Sequence, residues 1–282
     1  MLFLVVLFIR TFTSPLGPMQ EPQGAYFTFP FAEGFQNGYL TMDLLASVAV
    51  GAIVVTAIQR SGITEPQIIG RACFLSGVIA VVLMALVYLS LAYLGATSAQ
   101  TLGIVENGGI ILTKASALLF GAAGQSVLAL IIILACLTTS CGMLTAFASY
   151  FTEVSGERLT YGQLTLGGAI FGFAAANIGL TGLIRISIPF LVALYPIVIV
   201  LVLLTLADRL GSAGPYVYRC SLIFTALFSI YGGLKEAGLS WSALDTLLTR
   251  YLPLYGASLG WLLPALIGAA LGGVLTLVVH PS

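Results

Sequence analysis

The sequence is short of charge. Of its 282 residues ten are basic and ten acidic, 7% together, one is a histidine, and the formal net charge at pH 7 is +0. Ordinary globular chains carry about 25% charged residues because a folded surface must face water, so this chain cannot coat a water-soluble globule. With no basic block and no acidic tail, the electrostatic footprint of a nucleic-acid-binding protein is missing as well. The single histidine, His280, stands at the extreme C-terminus, and no HExxH motif, Walker loop or dinucleotide fingerprint occurs. Enzyme chemistry therefore has little to work with. One GxSxG match, Gly256 to Gly260 around Ser258, leads into an apolar run and has no suitable histidine, so it reads as chance or packing. The four cysteines, Cys73, Cys136, Cys141 and Cys220, sit in apolar or semi-apolar runs without CxxC spacing, which predicts packing rather than disulfides or metal.

What the chain has in abundance is apolar surface: 59% of residues are hydrophobic and the mean hydropathy is +1.10. A bilayer's hydrocarbon core, about 30 Å thick, takes about 20 apolar residues at about 1.5 Å rise each. Seven runs of roughly that length stand out, at 38 to 58, 72 to 95, 126 to 148, 163 to 180, 187 to 206, 216 to 234 and 259 to 279. Lipid cannot hydrogen-bond exposed backbone, and the runs do not alternate as barrel strands do, so an all-α polytopic membrane protein is expected. Residues 1 to 12 (MLFLVVLFIRTF) are too short to cross and contain Arg10. A signal peptide would place its positive charge ahead of the apolar stretch, so this stretch reads as the tail of a truncated helix. Basic residues divide evenly between alternate connectors. Arg60, Arg71, Arg158, Arg209 and Arg219 lie in the shorter ones, near span ends, and are placed in the cytoplasm; Arg10, Lys114, Arg185, Lys235 and Arg250 fall on the other side.

In lipid the informative residues are those that cost energy to bury. The uninterrupted apolar stretch 44 to 58 is 15 residues long, so a crossing must recruit Tyr39, Leu40, Thr41 and Met42, which draws Asp43 into or near the membrane. A central Asp costs about 2.5–3.5 kcal/mol on insertion scales, so it should face protein, water or ligand. Pro30, Gly34 and Gly38 punctuate the approach. Two readings stand: a helix broken near membrane depth, as at transporter binding sites, or an interfacial cap in which Asp43 accepts first-turn amides. Thr138, Thr139 and Ser140 form a second polar cluster at mid-span. With backbone carbonyls, such hydroxyls are the hard oxygen ligands that Na⁺ needs; alternatively they bond back to the carbonyl four residues earlier. The pairs Gly168/Gly172 and Gly268/Gly272 predict close helix packing, and Pro189 with Pro196 predicts a kinked span.

Taken together, GYLTMDLLAS (38 to 47), AIQRSGIT (57 to 64), NGGIIL (107 to 112), ACLTTSCG (135 to 142) and NIGLTGLIRISIPFLVALYPIVIVLVLL (177 to 204) resemble the bacterial branched-chain amino acid:cation symporter family, in order and from about residue 30 to the C-terminus. That family is similar to the amino acid/polyamine/organocation superfamily, whose leucine-transporter-like fold has two five-helix inverted repeats followed by two further helices. The resemblance implies that this chain is the C-terminal part of such a fold, about seven full transmembrane helices plus one partial, lacking the first four. Residues 1 to 12 would be the end of helix five, 13 to 37 an extracellular connector, and 38 to 282 the transporter domain. Within it, 38 to 58 would be broken helix six, 126 to 148 helix eight and 259 to 279 helix twelve.

The resemblance also implies that Gly38, Tyr39, Leu40, Thr41 and Met42 touch substrate and that Asp43 braces the break. The Ala135 carbonyl with the Thr138 and Thr139 hydroxyls would hold Na⁺, half of each site would be absent from the chain, and the connector 96 to 120, with Gly103, Gly108 and Gly109, would be an extracellular lid. The implied activity is symport of leucine, isoleucine and valine with Na⁺ or H⁺ across the bacterial inner membrane by alternating access. No cofactor besides the coupling cation, no nucleic acid and no obligate protein partner is implied. The alternative is a truncated fragment of such a carrier that inserts in the bilayer without transporting.

Overall fold

The computed structural model describes residues 2–279 apart from Gln23, Thr64, 209–213 and Pro253, and leaves undescribed the side chains of Leu2, Tyr39, Ala49, Val50, Ala52, Ile53, Leu277 and Val279. The expectations attached to Arg209, His280 and the Tyr39 side chain lie outside the described residues. Among those described, every regular element is a helix: α1 (Leu2–Thr13), α2 (Ala25–Thr28), α3 (Pro30–Tyr39), α4 (Asp43–Arg60), α5 (Pro66–Leu102), α6 (Gly108–Val154), α7 (Tyr161–Ala176), α8 (Leu180–Asp208), α9 (Pro215–Glu236), α10 (Ser242–Tyr251) and α11 (Leu262–Val279), with a 3₁₀ turn at Tyr255–Ala257.

Four of these, α5, α6, α8 and α9, are long and apolar enough to cross a membrane. The most apolar window of α5 has none of its residues buried inside the protein, so its hydrophobic side chains point outward, the reverse of a water-soluble helix. The three remaining expected spans appear as shorter helices: α4 with 18 residues, α7 with 16 and α11 with 18. At about 1.5 Å per residue, α7 reaches only about 24 Å against a core of about 30 Å. Its ends explain the length. Thr160 and Gln163 form a reciprocal capping box at the start, and Asn177 caps the end just before Gly179, whose φ of 79° stops the helix.

The chain divides into two compact units, residues 1–21 with 50–181, and residues 22–49 with 182–282. In the first, the expected stub is a regular helix, α1, with Leu7 and Thr11 fully buried and Phe12 stacked on Tyr93 of α5 at 4.5 Å. The Thr11 hydroxyl donates back to the Leu7 carbonyl at 2.8 Å, so a polar side chain is buried with its bond made. The stretch 96 to 120, expected as a connector, is mostly helical. α5 continues to Leu102, Gly103 turns the chain, and Asn107 caps α6 by accepting the Ile110 amide at 3.2 Å. α6 is interrupted once, at Gly121, whose φ of 66° is left-handed and closed to most side chains. Its two helical pieces are therefore 108–120 and 122–154.

In the second unit, the later part of the expected connector 13 to 37 carries the short helices α2 and α3. Pro30, its φ preset by the ring, opens α3 as the first helical residue. α8 carries Pro189 and Pro196 in its interior, as the sequence suggests. α9 and α11 pack at backbone distance: a Cβ added to Gly268 would lie 2.7 Å from the Cys220 carbonyl, and one on Gly272 2.5 Å from that of Tyr216. Across the same seam the Ser221 hydroxyl donates to the Ala265 carbonyl at 2.9 Å. The Gly268/Gly272 pair is thus a packing seam. The other pair is half of one. Gly168 meets the Leu144 side chain, whereas a Cβ on Gly172 would meet nothing within 4 Å.

These contacts give Gly272→Val and Gly172→Val opposite expectations. Forcing a side chain into the α9–α11 seam should destabilise the folded protein by about 1–3 kcal/mol, whereas Gly172→Val should cost well under that. Unfolding in mixed detergent, followed by circular dichroism, measures the difference; equal losses would contradict the seam.

Candidate functional site

The first set of expected site residues lies where the chain leaves α3 and enters α4. The Leu40 amide still bonds to the Gln36 carbonyl at 3.2 Å, and the Thr41 amide reaches the Gly38 carbonyl at 3.3 Å, so α3 closes in a tight last turn. Met42 then takes a φ of 68°. A left-handed conformation costs an L-residue about 1–2 kcal/mol, and such strain persists only where the surroundings impose it. Asp43 opens α4, and the Ala46 amide returns to the Met42 carbonyl at 3.0 Å. The Thr41 hydroxyl lies 2.6 Å from the Gly38 carbonyl and 2.8 Å from Asp43 Oδ2, a single proton bridging the end of one helix and the start of the next. A carboxylate at that position is favoured by the positive end of the α4 dipole. The chain thus turns from α3 into α4 at residues 40–42, and Asp43 is the first residue of α4. Gly38, Thr41 and Met42 are exposed, while Leu40 and Asp43 are half-buried.

A residue that sequence reasoning passed over supports this break. Tyr195 of α8 is fully buried, and with Leu191 it packs on Leu40, Leu44, Leu45 and Ile199.

Ala135, Thr138 and Thr139 belong to the other compact unit, on the second piece of α6, where the helix is regular and all three are exposed. The Thr138 hydroxyl donates to the carbonyls of Leu134 at 3.1 Å and Ala135 at 2.9 Å. The back-bonded geometry is thus the one adopted. It uses the hydroxyl proton, and the Ala135 carbonyl is one of its two acceptors.

A third polar cluster, also missed, closes the loop after α9. Lys235 Nζ lies 3.0 Å from Asp245 Oδ1, the Tyr255 hydroxyl donates to the same oxygen at 2.6 Å, and Lys235 stands over the Tyr255 ring at 5.0 Å. The three are ten residues apart in sequence on three separate elements, a spacing with no helical or strand period to betray it. Lys235 and Tyr255 border a cavity of about 120 Å³ shared with Gln36, Pro196 and Ser229. The GxSxG letters nearby form part of the 3₁₀ turn, with Ser258 left-handed behind it; no strand precedes it.

Compared with known proteins, residues 1–279 match the family described as branched-chain amino acid transport protein. The chain belongs to that family. It is 40% identical over 279 residues to the branched-chain amino acid permease BraB of Bacillus subtilis, covering 99% of this chain and 62% of the relative. It is 38% identical over 275 residues to the permease BrnQ of the same organism, covering 98% and 62%. Against the branched-chain amino acid transport system 2 carrier protein of Pseudomonas aeruginosa the identity is 40% over 271 residues, covering 96% and 61%. The chain thus spans about 60% of the length of these relatives, all of them permeases or carriers rather than enzymes. No solved structure matches it. Family membership and four membrane-capable helices make it a multi-pass membrane protein.

The Lys235–Asp245–Tyr255 cluster carries a pH signature. The Tyr255 hydroxyl first, then Lys235, holds the Asp245 carboxyl below its ordinary value of 3.8, and burial, then the neighbouring Asp245, pushes the Tyr255 hydroxyl above 10.0. A depressed carboxyl contributes stability that is complete above its ordinary value and is lost as pH falls through the lowered one. The tie between α9 and α10 should therefore survive acidification to about pH 4 and fail only below it. Trp241, stacked on Tyr231 at 6.1 Å, reports on the tie by fluorescence in a Trp261→Phe background. Asp245→Asn should abolish the acid transition; an unchanged transition would assign it elsewhere.

Proposed function

We propose that the chain is the C-terminal part of a cation-coupled symporter of branched-chain amino acids in the bacterial cytoplasmic membrane, working by alternating access on a leucine-transporter-like inverted-repeat fold. The observation that carries this reading is the break at residues 40–42, with its left-handed Met42 and its Thr41–Asp43 bridge, in a chain of this family. A helix interrupted in a membrane leaves backbone groups that must find partners, and an amino acid's ammonium and carboxylate groups are such partners. Gly38, Tyr39, Leu40, Thr41 and Met42 bind the substrate on this reading: backbone groups hold the zwitterionic head, apolar faces hold the side chain, and Asp43 keeps the break in shape.

Leucine, isoleucine and valine side chains form no hydrogen bonds, so shape alone separates them, worth about 1–3 kcal/mol per methylene. Cross-transport among the three follows. The coupling cation, Na⁺ or H⁺, is the second substrate, and the Ala135 carbonyl with the Thr138 and Thr139 hydroxyls supplies oxygen ligands suited to Na⁺. If cation and amino acid share a coupling free energy, each raises the other's affinity by the same factor. A second reading, a fragment that inserts without transporting, draws on the 62% coverage of the Bacillus subtilis permease BraB.

Uptake of labelled leucine by cells lacking their own carriers and expressing this chain tests both readings. Leucine accumulation that rises with a Na⁺ gradient and is competed by isoleucine and valine supports symport, and no uptake above the empty control supports the fragment. Thr138→Ala and Thr139→Ala should each raise the Na⁺ concentration for half-maximal uptake by about tenfold, the scale of one neutral oxygen's interaction with a charged group, while leucine affinity at saturating Na⁺ changes little. Unaltered Na⁺ activation in both variants removes the cation assignment.

A further inference from the structure

We propose that α10 lies flat in the headgroup layer of the bilayer, its outward apolar stripe sunk among the lipid chains and Arg250 at the phosphate of an anionic phospholipid. The inference rests on the membrane character of the chain and not on the substrate reading. α9 fixes the depth. Its 22 residues at about 1.5 Å each reach about 33 Å, against about 30 Å of hydrocarbon, so Lys235 and Glu236 at its end stand at the boundary with water. α10 is tied to that end: Asp245 takes the Lys235 ion pair at 3.0 Å and the Tyr255 hydroxyl at 2.6 Å. Leu248 is buried in a cluster with Leu252 and with Tyr231, which stands one turn before Lys235. The short helix is thus held against the end of a membrane-capable one, level with the lipid headgroups.

The rest of α10 divides by chemistry. Leu244, Leu247 and Tyr251, three and four residues apart, form a stripe that Trp241 extends by one turn, and all four are exposed, Tyr251 to 68%. Thr246, Thr249 and Arg250, exposed as well, make the polar flank. In water such a stripe would stay uncovered; at headgroup level it meets the upper ends of the acyl chains. α9 presents Leu227, Ile230 and Leu234 outward, so a lipid-facing surface runs up to the end against which α10 rests. Trp241 stacks on Tyr231 at 6.1 Å and still remains 62% exposed, an amphipathic ring at the depth where tryptophan and tyrosine concentrate in membrane proteins. The charge fits too. Lys235 neutralises Asp245, and among the described residues no carboxylate pairs with Arg250, so α10 keeps one positive charge beside its apolar stripe, the complement of a lipid phosphate.

Trp241 emission from the chain in lipid nanodiscs tests the depth; the difference between the unsubstituted chain and Trp241→Phe isolates it and leaves Trp261, the other tryptophan, in place. Phosphatidylcholine brominated near the ester end of its acyl chains should quench that emission more than the same lipid brominated near the methyl end, since an interfacial helix sinks its apolar face only about 5–10 Å. Acrylamide in the water should quench it weakly. Three results each overturn the proposal: stronger quenching by methyl-end bromine, strong quenching by acrylamide with none by lipid, or quenching by neither, which marks a cover of protein such as a second copy of the chain. Hydrogen exchange across residues 242–251 tests the charge. It should be about fivefold slower in phosphatidylglycerol than in phosphatidylcholine nanodiscs, the scale of one arginine at an anionic surface, and Arg250→Gln should remove the difference. Equal exchange of the unsubstituted chain in the two lipids, or a difference that survives in Arg250→Gln, overturns the proposal as well.

Discussion

Everything in this chain follows from one constraint: inside a membrane, a backbone amide or carbonyl without a partner has no water to turn to. A continuous helix answers it automatically, which is why the described residues form helices throughout. Each departure from continuity must then be compensated locally. At residues 40–42 the compensation is local: a last turn of α3 closed by the Leu40 and Thr41 amides, and a threonine hydroxyl spanning Gly38 and Asp43. At Gly121 the interruption is made by a residue whose backbone alone tolerates it.

The parts of this architecture that were legible in the sequence are those with a thermodynamic cost attached to a single residue or a fixed spacing. Asp43 stood out because an apolar stretch too short to span forced it toward the membrane, and it does open a helix after a break. Gly268 and Gly272 were recognisable from their four-residue spacing, and they do lie at backbone distance from α9. Gly168 and Gly172 have the same spacing, yet only Gly168 meets a neighbour, because spacing tells which face two glycines share and not whether a helix lies opposite.

The parts that stayed hidden depend on contacts between distant positions. Tyr195 sits in a run of apolar residues and looks like core; that its cluster with Leu191 packs against Leu44 and Leu45, about 150 residues earlier, has no mark in the sequence. Lys235, Asp245 and Tyr255 fall on three elements with no shared period. α3 was hidden for the opposite reason, since a polar decapeptide with two glycines has little intrinsic helix preference and is helical through its proline start and its neighbours. Thr138 shows that knowing a residue does not reveal its bond: both a ligand and a back-bonded hydroxyl are written with the same letters, and the helix carbonyls at Leu134 and Ala135 hold its proton.

The seam between α9 and α11 has a mechanical consequence. With the α11 glycines resting on the peptide groups of α9 and Ser221 tied to the Ala265 carbonyl across the join, the two helices cannot slide lengthwise by one turn, about 5.4 Å, without driving a larger side chain into a carbonyl oxygen. Their axial register is locked as a ratchet pawl locks a wheel. Any movement involving this pair must carry both helices together as one stiff blade.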